Sequence, residues 1–248
     1  MILGLLDPVG DPTCLRKQKV GKPSRNAAQT YAKAEGCVYE DPSRADGLRK
    51  GWPFRVGTWN ADSLTGRSGK LVEALGERQI DIACVQEIWW RGSSCRYFGA
   101  TGKRYKLFWM GSEAKTEGVG IFVAEKWVDS VVSVERHDER ILVLKMVLGD
   151  RLLNVFTVNA PHSGRPDEEE YFWNEVFYLV SCISQNEIDV FAGDMNGHVG
   201  SSNVGYDGTH GGFGYGFRNA DGSRILEFAD GQNLVICNTL FTNRKPSW

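Results

Sequence analysis

The sequence predicts an α/β fold in which two β-sheets pack face to face with helices on the outside. Three observations predict it. Strand-like and helix-like segments alternate at both ends of the folded region. A procession of strand-like segments with no helix between them stands in the middle. Several of these strands are short unbroken apolar runs, as buried strands are. A meander inside an αβ alternation disfavours a single doubly wound sheet, and two packed sheets accommodate it.

The elements follow from local pattern. At Phe54 the texture changes, and "FRVGTWN" alternates in the manner of a strand. "RSGKLVEALGERQ" sets Leu71, Val72 and Leu75 at helical spacing, with Ser68 as its cap. "IDIACVQE" reads as a buried strand. "YKLFWMG", "GVGIFVAEKW", "DSVVSVE", "RILVLKMVL" and "LLNVFTVNAP" follow as strands. "PDEEEYFWNEVFYLVSCIS" is helical: Pro166 opens it, acids fill its first turn, and Phe172, Val176 and Leu179 share a face. "IDVFAGDMN" is a strand, Gly197 to Gly222 a Gly-rich loop, "SRILEFADGQN" a short helix and "LVICNTLF" the last strand.

The 248 residues suffice for one large domain or two small ones, and 42% apolar content fills a sizeable core. Net charge is −2, so no global positive field advertises a nucleic-acid partner. Residues 1–50 hold nine Lys/Arg against six Asp/Glu and lack periodicity. They read as a basic, disordered tail before a domain spanning 51–248. The six cysteines include no CxxC pair, which disfavours zinc, and Cys84 and Cys237 read as buried thiols. The apolar start "MILGLL" is too short for a signal segment, and no stretch reaches membrane-spanning length. The expectation is an intracellular chain, nuclear or cytoplasmic, with no membrane partner.

Polar residues fall at strand ends. "RVGTWN" ends in Asn60, "IACVQE" in Gln86 and Glu87, "VFTVNAP" reaches Asn159, and "VFAGDMN" ends in Asp194 and Asn196. A buried strand has no reason to carry an unpaired acid except at its end. Residues i and i+2 of a strand share a face, so Asp194 and Asn196 are expected to face one pocket. One Glu and one Asp with amide oxygens form a hard-oxygen set, suited to Mg²⁺ or Mn²⁺.

In this order and spacing, "GTWN", "VQE" and "GDMN" resemble the endonuclease/exonuclease/phosphatase superfamily, which includes DNase I and abasic-site endonucleases. The block from "GDMNGHVG" to "NTLF" resembles the endonuclease domain of RTE-clade non-LTR retrotransposons and the craniofacial development protein 2-like proteins derived from them. The resemblance covers about Phe54 to Phe241. It implies a DNase I-like four-layer sandwich of two mixed β-sheets flanked by helices. It also implies phosphodiester hydrolysis assisted by Mg²⁺ or Mn²⁺, with DNA as the substrate that is nicked. Under that resemblance Glu87 is the metal ligand and Asn60 its neighbour in the metal's shell. Asp194 activates the attacking water or assists the leaving group, and Asn196 holds Asp194 and the phosphate. Asn159 stands where the family has a Tyr that contacts the phosphate.

The family also carries an Asp-His pair on a final strand, and no Asp-His dipeptide occurs in these 248 residues. The expectation is a C-terminally truncated domain lacking its last strands, with activity lost or reduced. The alternatives are a catalytically dead remnant that keeps the fold, or a superfamily phosphatase acting on inositol phosphates or lipids. The Gly-rich block argues against the phosphatase. Trp89, Phe213 and Tyr215 are candidate substrate contacts, by stacking on bases. Of Trp89 and Trp90, one is free to pack and one to meet DNA. "GYDGTHGGFGYGFRN" is either a phosphate cradle or a long surface loop.

Overall fold

The computed structural model describes residues 2–5, 55–100 and 103–240. The chain divides into two units. One runs from Phe54 to Asn196; the other joins the segment before it, where strand β1 (Ile2–Leu5) lies, to the residues from Gly197 onward.

The Phe54–Asn196 unit holds two sheets. In the first, β2 (Val56–Asn60) runs parallel to β3 (Ile82–Gln86), with helix α1 (Ser68–Glu77) crossing between them. β4 (Ser93–Phe98), β5 (Tyr105–Gly111) and β6 (Gly118–Ala124) are antiparallel, giving the order β2-β3-β6-β5-β4. A 3₁₀ segment, Glu125–Ser130, leads to β7 (Val131–Asp138), β8 (Ile141–Leu148) and β9 (Arg151–Asn159). Helix α2 (Pro166–Ser181) then returns the chain to β10 (Ile188–Asp194), parallel to β9, in the order β10-β9-β8-β7. Both sheets are therefore mixed, as expected.

The sheets pack face to face, β2 against β10 and β3 against β9. Their shared core includes Ile82, Cys84, Val155 and Ala192, all but excluded from solvent, and Phe156 and Phe191 are as deeply buried on the opposite face of the second sheet. Phe156 and Phe191 stack with ring centroids 4.1 Å apart, and burying each such side chain contributes about 1.5–3 kcal/mol. Burial also pushes the Cys84 thiol up to about 12, so it is an inert core thiol. α1 buries Leu71, Val72 and Leu75, and α2 buries Phe172, Trp173, Val176 and Leu179. Apart from Trp173, these are the stripes that the sequence periodicity marks.

The second unit pairs β1 antiparallel with β11 (Leu234–Ile236) and lays helix α3 (Ala220–Gly231) over β11. Asn219 caps α3, its side chain accepting from the backbone N–H of Gly222 at 2.8 Å.

Four local expectations change. Ser68 is the first helical residue of α1, and the cap position is Arg67, with no side-chain cap bond. The polar segment 93–98 forms strand β4, an exposed edge whose burial pattern lacks the alternation that would reveal it. The last strand stops at Ile236 and tightens into a 3₁₀ turn, Cys237–Thr239. Within the stretch read as a disordered tail, Ile2–Leu5 is a strand, because β11 offers it a backbone edge to pair with. Residues 6–50 of that tail lie outside the described residues.

Candidate active site at the strand ends

The C-terminal ends of β2, β3, β9 and β10 meet within the Phe54–Asn196 unit. Asn60 ends β2 and Glu87 follows β3; the Asn60 Nδ2 donates to Glu87 Oε1 at 2.6 Å. The same nitrogen makes a long contact, 3.5 Å, to Asp194 Oδ2 at the end of β10. Asn60 Oδ1 accepts from the Asp62 N–H at 3.3 Å. One amide thus lies between two carboxylates that come from different sheets.

The backbone around these groups is unusual. Non-glycine residues with positive φ include Asp62 (43°) and Ser63 (77°) after β2, Glu87 (54°) and Trp89 (57°) after β3, and Asn196 (48°) after β10. Each such residue costs of order 1–3 kcal/mol, and they persist where surrounding structure holds them. Here hydrogen bonds do so: Ser63 N–H donates to the Glu87 carbonyl at 2.8 Å, and Trp89 N–H to the Glu117 carbonyl at 3.0 Å.

Asn196 reaches the site by a route that strand alternation does not describe. β10 ends at Asp194, and Asn196 lies beyond it in left-handed conformation. Its N–H donates to Asp194 Oδ1 at 3.1 Å, closing a turn around the aspartate, and its Nδ2 donates to the Ala160 carbonyl at 2.6 Å. Gly193 precedes Asp194 because any side chain there would collide with the Val158 carbonyl, 2.0 Å from an added Cβ.

Asn159 is buried and lies in register with Asp194 across the parallel pair. Sequence spacing gives no hint of what braces it. The Asn159 N–H donates to the Arg140 carbonyl at 2.9 Å, and Arg140 Nη1 reaches the Asn159 carbonyl at 3.4 Å. Arg140 Nη2 also donates to Glu117 at 2.6 Å and Glu168 at 3.1 Å. Burial pushes the Glu117 carboxyl above its ordinary range, and Arg140 opposes that shift. These partners come from four separate segments, so only folding assembles them.

The two tryptophans divide. Trp90 packs edge-on to Trp109 at 5.2 Å and donates from Nε1 to Thr65 Oγ1 at 3.3 Å, whereas Trp89 is 36% exposed. Phe213 and Tyr215 are exposed, but they belong to the second unit. His162 and His198 are exposed. Buried His210 holds the Gly-rich loop from within. Its Nδ1 accepts from the Gly212 N–H at 3.0 Å, so Nε2 carries the proton donated to the Gly200 carbonyl at 3.2 Å. Burial holds its pKa below the usual range, keeping it neutral. A Cβ on Gly214 would lie 1.8 Å from the Gly200 carbonyl. That glycine serves backbone-on-backbone packing within the loop.

The donor set fits a hard divalent cation. Among the described residues no Lys or Arg pairs with Glu87 or Asp194. Two carboxylates with amide oxygens suit Mg²⁺, which is held by one or two carboxylates and keeps several waters. No cluster of three or more His, Cys, Asp or Glu able to hold a metal occurs among the described residues.

Residues 57–244 match the model of the Endonuclease/Exonuclease/phosphatase family. Craniofacial development protein 2 of Tragulus javanicus is 25% identical over 230 residues, covering 92% of this chain and 36% of that protein. Its counterpart from Bos taurus is 27% identical over 197 residues, covering 78% and 32%. The chain thus spans about a third of the length of the curated relatives it matches. Among solved structures, the endonuclease domain of TRAS1, a telomere-specific non-LTR retrotransposon, aligns at TM-score 0.45 with 16% identity, covering 73% and 71%. No described helix is long and apolar enough to cross a membrane. By the match over residues 57–244, the chain belongs to the Endonuclease/Exonuclease/phosphatase family.

Proposed function

We propose that this chain hydrolyses phosphodiester bonds with the help of a divalent cation, nicking DNA as a retrotransposon-type endonuclease. The observation that carries the reading is the pair of carboxylates, Glu87 and Asp194, brought from two sheets to one amide with no described Lys or Arg to neutralise them. Glu87, with Asn60 beside it, would hold Mg²⁺ or Mn²⁺. The bound ion would supply positive charge to the charge developing on the phosphate and leaving oxygen. Asp194, oriented by the Asn196 N–H, takes the proton of the attacking water. Asn196 and Asn159 orient the phosphate, and exposed Trp89 stacks on a base of the strand.

Asn159 in the position of the family's Tyr favours a second reading, a protein that retains the fold and binds DNA without cutting it. Asn offers a hydrogen bond but lacks a phenol's reach and acidity. Supercoiled plasmid incubated with the chain and Mg²⁺ separates the two. Conversion to nicked circles that EDTA stops is the expected result. Gel-shift binding without nicking in either Mg²⁺ or Mn²⁺ would overturn the enzyme in favour of the binding protein.

A further inference from the structure

We infer that Gln86 is a positioning residue that fixes the spacing of the two halves of the site, and that Thr157 is its anchor. The inference deepens the proposed function. Its geometry, however, stands on the protein without metal or substrate.

Gln86 is the last residue of β3 and immediately precedes Glu87. Its side chain is 1% exposed, an unusual place for a primary amide. Its Nε2 donates to Thr157 Oγ1 at 3.0 Å, and its Oε1 accepts from Thr58 Oγ1 at 3.1 Å. Thr58 and Gln86 belong to the first sheet and Thr157 to the second, so the amide spans the gap between the sheets. Strand alternation places Thr157 and Asn159 on one face of β9, with Asp194 in register with Asn159. Asn60 is in register with Gln86 on β2. On the inner faces of the two sheets, Asn60 therefore sits level with Gln86, and Asp194 one same-face step beyond Thr157, so the cross-sheet Asn60–Asp194 contact adjoins the Gln86–Thr157 bond.

This matters because the site is divided between sheets. Sheet separation is otherwise set by interdigitating apolar side chains, which tolerate substitution with small shifts. A directional bond between buried polar groups leaves less freedom, since breaking it strands a donor or an acceptor. The 3.5 Å reach from Asn60 to Asp194 is already at the limit of a hydrogen bond, so a modest widening of the gap would separate the two carboxylates. The Gln86–Thr157 bond lies beside this contact and opposes that widening.

The test uses Gln86→Leu, Thr157→Val and Thr157→Ser. Thr157→Val removes the anchor hydroxyl at nearly constant shape, and Thr157→Ser restores it. The first readout needs neither metal nor turnover: the side-chain amide resonances of Asn60 in the ¹H–¹⁵N spectrum of the metal-free protein, assigned by their loss in Asn60→Ala. Gln86→Leu and Thr157→Val are expected to move these resonances and hasten their exchange with solvent, and Thr157→Ser to return them to the wild-type position. If the proposed chemistry also holds, kcat for plasmid nicking falls on the order of 100-fold in the first two variants and recovers in the third, with KM little changed. Unmoved Asn60 resonances in Thr157→Val would overturn the positioning role, even if the melting temperature drops. If Gln86→Leu does not fold, Thr157→Val and Thr157→Ser decide alone. Resonances that move in a protein with no nicking activity uphold the strut while defeating the endonuclease reading.

Discussion

At each end of the β9–β10 pair an aspartate lies in register with an asparagine: Asp189 with Asn154, and Asp194 with Asn159. The same two residue types on the same two strands meet opposite fates. At the lower end Asn154 Nδ2 donates to Asp189 at 3.0 Å and to Glu187 at 2.8 Å, and Lys145 pairs with Glu187 at 3.0 Å. That cluster pairs both of its carboxylates and brings its own cation, with the buried Asn154 Oδ1 left unpartnered. Asp189 is buried there, and burial above all pushes its carboxyl up to about 6, Asn154 and Lys145 opposing the shift. At the upper end Asp194 is half-buried and held by the Asn196 N–H and the Asn60 amide, with no described Lys or Arg. The difference teaches that a carboxylate's role is set by whether its surroundings complete it. The lower aspartate is finished, and the upper one is left to take a partner from outside.

Substitution of the two aspartates gives the largest contrast. Asp194→Asn is expected to lower nicking about 10²- to 10⁴-fold while the melting curve stays near wild type, and Asp189→Asn to leave nicking unchanged. Equal nicking by wild type and Asp194→Asn would erase the distinction. Next comes the amide that joins the upper carboxylates. Asn60→Ala should weaken Mn²⁺ binding about 10- to 100-fold in a calorimetric titration, and an unchanged affinity would reduce Asn60 to packing.

At the lower end the effects are on stability. Asn154→Leu removes the donor shared by Asp189 and Glu187 and should cost about 1–3 kcal/mol in urea unfolding at pH 7, with nicking by the folded protein retained. Asp189→Asn should do the reverse, and only at higher pH. The folded carboxyl, raised from 3.8 to about 6, binds its proton more tightly than the unfolded one. Its contribution to stability is therefore full below pH 3.8 and is lost as the pH rises through about 6. A side chain that never ionises escapes that loss. Relative to wild type, Asp189→Asn should gain up to about 3 kcal/mol at pH 8, shrinking to nothing near pH 4. A difference independent of pH would show that Asp189 does not titrate as its burial requires.

What could be read in advance depended on whether the cause was local. The stripes Leu71, Val72, Leu75 and Phe172, Val176, Leu179 name the buried faces of both helices because period follows from geometry. Strand β4 escaped because its residues are exposed and carry no alternation. Glu87, Asn60 and Asp194 were legible because acids and amides at the ends of apolar strands need a reason. Asn196 was placed correctly in the chain but for a different cause, a left-handed turn instead of continued alternation. Arg140, Glu117 and the Gln86–Thr157 bond had no local signature, since each depends on segments distant in sequence.

By itself the sequence determined where the helices and the apolar strands form, which faces the helices bury, and that hard-oxygen side chains stand at the strand ends, because propensity, periodicity and the penalty on buried charge act over a few residues. Only the tertiary structure decided that Glu87 and Asp194 share one amide while Asp189 is sealed with a lysine-paired neighbour. Those outcomes depend on which sheet packs against which and at what spacing, and no short stretch of chain contains that information.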